Sequence, residues 1–175
     1  MAITLNVSYA PISKQNDAYT IKNPNQVTNA FTITEASEAA DALRLSNQEK
    51  ISQLKAFLKD YDMTSISTDE LKVVGSRLYD EGMISRRAFG MFISGDGASN
   101  AKGFQTNTHV KFNAIALFNE KLEDTKAHFK SEPMLARQDG AMDHLQGIVS
   151  ANQAVAAMAY FVRSANSELS INEQA

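Results

Sequence analysis

Cysteine and tryptophan are absent from the 175 residues, and proline occurs three times. Without thiols the chain has no disulfide, no thiolate nucleophile, no Cys-based zinc site and no iron–sulfur ligand. Charge is nearly balanced, with 17 Lys+Arg against 20 Asp+Glu for a formal charge of −3. Phosphate affinity grows with the number of basic contacts, and only Arg86-Arg87 sets two cations side by side, so general nucleic-acid binding is not expected. No phosphate loop, dinucleotide glycine pattern or calcium loop is present, and Asp96 is the only acid between Glu81 and Glu120. No cofactor is predicted. The first residues, Met1-Ala-Ile-Thr-Leu-Asn-Val-Ser-Tyr9, lack the basic flank and continuous apolar run of a secretory signal, which predicts a cytoplasmic protein.

What is present is enough apolar material, 43% of residues, for one ordinary globular core. Residues 1–34 stand apart, with Lys14, Asp17 and Lys22 as their only charges and a high density of Ser, Thr, Asn and Gln. Ile3, Leu5, Val7 and Tyr9 alternate with polar residues at the period of a half-buried strand, and Pro11 ends the run. Weaker extended pieces are predicted at 18–22 and 30–34, around the turn-forming Lys22-Asn-Pro-Asn25. The polar, acid-poor composition of this arm is similar to that of uncleaved N-terminal export segments in specialised bacterial secretion, which implies non-classical export as the alternative location.

From Thr32 onward the period becomes helical. Thr32-x-x-Glu35, Ser46-x-x-Glu49 and Ser67-x-x-Glu70 each have the spacing of a capping box, in which hydroxyl and carboxylate satisfy the free N–H groups of a first turn. They predict helices over 35–45, 47–61 and 68–81. Gly82 then stands where a left-handed C′ residue is wanted, with Ser85 as the next N-cap, so 70–92 reads as a tight helix–Gly–helix corner. Residues 94–103 form a Gly/Ser/Asn-rich loop read as a flexible connector. A long helix is predicted within 104–130, although Phe112 falls off its apolar face, and Pro133 breaks the run. The last helix, about 140–165, has no charged residue from Leu145 to Val162. Gln146, Ser150, Asn152 and Gln153 weigh against a membrane span, so a central helix packed on all sides is expected. The expected fold is mainly α, an irregular bundle of five or six helices over 35–166, with the extended arm 1–34 and a tail from 167 to 175.

Candidate chemistry is sparse. Glu120, Asp124 and His128 fall at i, i+4 and i+8 on one flank of the long helix, but the Glu-x-x-His pairs of a dimetal bundle are missing, and the trio reads as a solvated rim rather than a metal site. Gly97-Ala-Ser99-Asn-Ala101 departs from the nucleophile elbow at its last position and lacks the sheet that motif needs. Arg86 and Arg87 open a helix after a turn, as in DNA-reading corners, yet Asp80-Glu81 precedes them and an apolar stretch follows. No catalytic residue is therefore assigned. The favoured function is a non-catalytic helical interaction protein, an adaptor, assembly factor or exported accessory component, that binds a protein partner or itself. Its candidate contact residues are Ile3, Leu5, Val7, Tyr9, Arg86 and Arg87. The alternatives are a small enzyme or ligand binder whose histidines and carboxylates converge only in three dimensions, and a helix-turn-helix regulator.

Overall fold

The computed structural model describes residues 15–172, with side chains described over 15–165. The alternating face of Ile3, Leu5, Val7 and Tyr9 lies outside the described residues. The fold is mainly α: six helices run as α1 (Ala36–Ala42), α2 (Gln48–Leu58), α3 (Thr68–Asp80), α4 (Arg86–Ser94), α5 (Ala114–Ser131) and α6 (Ala141–Asn172), with a two-stranded antiparallel pair, β1 (Ile66–Ser67) and β2 (Lys111–Phe112).

One of the three predicted capping boxes forms. Ser67 Oγ accepts the Glu70 N–H at 3.2 Å, and the Glu70 carboxylate accepts the Ser67 N–H at 2.7 Å, which starts α3. Burial opposes the charge on Glu70, but the Ser67 N–H, Lys111 and the Ser67 hydroxyl outweigh it and hold this carboxyl below the usual range. Asn47, not Ser46, caps α2 by accepting the Lys50 N–H. Thr32 caps nothing, because its hydroxyl closes a turn on Asn29, and α1 begins only at Ala36. Phe112 belongs to β2, opposite Ile66, so α5 starts at Ala114, ten residues after the predicted beginning. α6 extends past Ser167, where the tail was expected, to Asn172.

The corner forms as read. Gly82 has φ +73°, its N–H reaches the Tyr79 carbonyl at 3.0 Å, and the Met83 N–H reaches the Leu78 carbonyl at 2.8 Å, the paired bonds of a Schellman end. Ser85 accepts the Ala88 N–H to open α4. Gly75 lets α3 and α4 approach closely, since a Cβ there would lie 2.6 Å from Phe92, which meets Phe118 edge to face. α6 is the axis of the bundle, packed by α1, α2, α4 and α5. Ala151, Val155, Ala157, Met158 and Phe161 are fully buried along it.

The 94–103 loop is fastened rather than free. Asn16 exchanges two backbone hydrogen bonds with Ser99, at 3.0 and 2.9 Å, and Asp96 Oδ1 accepts the Ala98 N–H. Gly97 has φ +83° and, like Gly82, open space around it. Backbone strain alone therefore governs substitution at both, and Gly82→Val and Gly97→Val are each expected to destabilise by about 1–3 kcal/mol in urea unfolding. A loop free to adapt would leave the second variant near wild type.

Candidate functional site

Two carboxylates on α5 hold the arm. Glu120, 6% exposed, accepts the backbone N–H groups of Lys22 and Asn23, each at 2.8 Å. One turn on, half-exposed Asp124 accepts the Tyr19 hydroxyl at 2.6 Å and the Lys22 ammonium at 2.9 Å. Further along, buried Asn113 donates to the Pro24 and Gln26 carbonyls, and Asn29 donates to Asn152 on α6. Residues 18–22 and 30–34 form no regular strand; Ile33 belongs to the core, and Tyr19, Ile21 and Phe31 pack against it. Of the predicted trio, Glu120 and Asp124 are thus joined through the arm, whereas the His128 side chain is exposed beyond them. Among the described residues no three His, Asp or Glu side chains converge as a metal site would require.

The Tyr19 hydroxyl and the Lys22 ammonium hold the Asp124 carboxyl below its ordinary value. Burial and the bond to Asp124 raise Tyr19, and Asp124 also raises Lys22. A depressed acid stabilises the fold above its unfolded pKa and loses that effect as pH falls through the folded value; raised tyrosine and lysine lose theirs only as pH rises through theirs. The clamp is therefore at full strength between about pH 4 and 10. Tyr19→Phe is expected to destabilise by about 1 kcal/mol across that window, with the gap to wild type closing below about pH 4 in thermal melts. A gap that stayed constant through the whole acid range, down to the pH at which wild type itself unfolds, would show that the hydroxyl contributes nothing through Asp124.

Beside the clamp, Tyr19, Lys121, Asp124, His144 and Ile148 are among the side chains lining a cavity of about 360 Å³. Lys121 Nζ donates to the Gly95 carbonyl at 2.8 Å, at the C-terminal end of α4, and lies 5.9 Å from the Tyr19 ring centre. Burial lowers its pKa, partly offset by Asp96. Nothing in the sequence spacing pointed to Tyr19 or Lys121, since 102 positions separate them; the pairing exists only because the arm folds back. Asn152 did carry a signal, as a polar side chain inside an apolar run. It is fully buried.

Arg86 and Arg87 do not form one basic face. Arg87 pairs with Asp143 of α6 at 2.5 Å, while Arg86 is exposed with no ion pair among the described residues. Arg77, nearby on α3, pairs with Glu81 and lies over the Phe57 ring.

A groove of about 520 Å³ lies between α1, the Met83–Ser85 turn and α6. Phe31, Ile33, Ala42, Met83 and Ile84 supply its apolar lining, and Glu38, Asp41 and Arg44 bring charge to it. No protein-family model, curated protein or solved structure matches the chain.

Proposed function

We propose that the chain is a non-catalytic helical protein-interaction module, an adaptor or assembly factor in kind. The observation that carries this reading is the open groove beside α1, where half-buried Phe31 and Ala42 stand over buried Ile33, Met83 and Ile84 with no covering element among the described residues. It joins an apolar lining to a charged edge, the usual make-up of a protein-binding patch. The carboxylates of α5 support the same reading, because both accept hydrogen bonds from the arm. Ala42→Arg would fill the groove from a half-buried position at the end of α1. Affinity capture of the tagged chain from its source cells should yield a stoichiometric partner that this variant releases. Bound proteins that ignore Ala42→Arg would overturn the reading.

A second reading, a small-ligand binder, rests on the cavity that brings Asp124 and His144 together with Lys121 and Tyr19. Its mark would be a small molecule retained through purification by wild type and lost in Lys121→Met. For a DNA-reading corner, the pairing of Arg87 with Asp143 counts against the idea, since it leaves Arg86 alone at the helix start.

A further inference from the structure

The end of α1 has a feature that its sequence makes unfavourable. The Arg44 N–H reaches the Asp41 carbonyl at 3.1 Å, and the Leu45 N–H reaches the Ala40 carbonyl at 2.8 Å. These are the same paired bonds that end α3 at Gly82, so Arg44 occupies the C′ position, with φ +55°. Glycine adopts this conformation freely, whereas an L side chain there is strained. An arginine stands where glycine would favour the fold, and it lines the groove.

The charges around it are ordered. Glu38 and Asp41 sit one turn apart on α1 and also line the groove, followed by Arg44 past the helix end. All three side chains are exposed, and none makes an ion pair among the described residues. An apolar floor edged by two acids and then a base is complementary to a segment of the opposite order. Gln153 and Ser150 of α6, also in the lining, can hydrogen-bond its backbone.

Resting on the interaction reading above, we infer that this groove binds a short segment of a partner protein. An apolar side chain of the segment fills the floor, a Lys or Arg on one side of it meets Glu38 and Asp41, and a carboxylate on the other side meets Arg44. Arg44 is then the residue through which stability is given up for recognition, a common arrangement for strained backbone.

The test uses a phage-displayed library of random twelve-residue peptides selected on the full chain. Enriched peptides are expected to place Lys or Arg on one side of a Leu, Ile or Phe and Asp or Glu on the other. Synthetic copies should bind at least tenfold more weakly to the surface double variant Glu38→Lys/Asp41→Lys, and more weakly at raised salt. Arg44→Gly should separate the two roles of its position, melting a few degrees above wild type while binding at least fivefold more weakly. Peptides with no charge order, or equal binding to these variants, would overturn the inference, as would failure to enrich any peptide. A concentration-dependent dimer dissolved by Ala42→Arg would replace the partner with a second copy of the chain. A cellular partner released by Ala42→Arg yet indifferent to the charge variants would remove this inference and leave the interaction reading standing. Capture insensitive to all of them would remove both.

Discussion

Removing Met1–Asn29 is expected to lower the melting temperature by roughly 10 °C or more, at about 2–4 °C for each kcal/mol in a chain of this size. The composition of the arm suggests the opposite, a separable segment whose loss spares the helices. The attachments of residues 15–29 argue for destabilisation. Tyr19 and Ile21 pack against the core and would leave it open to water. Glu120 and Asn113, 6% and 5% exposed, would lose the backbone groups that they bind in the arm, and Asn152 its bonds from Asn29. Water would replace some of these partners, so the lost apolar cover carries most of the effect. Differential scanning of the truncated chain decides the matter: an unchanged melting temperature would mean that the arm contributes nothing to the body.

Val155→Asp is expected to abolish cooperative folding. Val155 is fully buried on α6, and no Lys, Arg or His is buried among the described residues. An isolated buried charge destabilises by an amount comparable to the whole of the ~5–15 kcal/mol that holds a domain together. Val155→Ala is the control, expected to lose roughly 1–3 kcal/mol and still unfold in a single transition. α6 is long and apolar enough over Ala141–Ala165 to cross a membrane by length and composition. If it served as a span, Val155→Ala would leave the unfolding of the rest unchanged, and wild type would be recovered only with membranes.

Much of the helical architecture was legible because it is written in local chemistry. Ser67 and Glu70 are three residues apart, Gly82 directly follows a helix end, and each feature is decided by neighbours in the chain. Local signals failed where a competing neighbour was equally suitable. Asn47 displaced Ser46 as a cap, and Asn29 engaged the Thr32 hydroxyl before it could start a helix. Phe112 announced the late start of α5 by falling off the helical face, and its partner Ile66 lies 46 positions away. The clamp around Glu120 was illegible for the same reason. Glu120 and Asp124 looked like a solvated rim from their own helix, and what covers them comes from 98 and 105 positions earlier. The groove escapes sequence reading altogether, since it is a gap between elements rather than a property of any one of them.

An alanine-rich helix presents similar small side chains turn after turn, so apolar contact alone discriminates poorly between one axial setting of α6 and the next. Asn152 removes that degeneracy. Its amide nitrogen donates to the Phe118 carbonyl of α5 at 2.8 Å and to the Ile148 carbonyl of its own helix at 3.0 Å, while its oxygens face Asn29 of the arm. Sliding α6 by a turn would bring Ile148 or Ala156 against these groups and leave a buried amide with no partner, at a cost of about 1–3 kcal/mol. Asn152, fully buried on α6, therefore acts as a locating pin, fixing the phase of the axis against helix and arm at once. Asn152→Leu is the variant in which the bundle would lose its unique alignment before its helices.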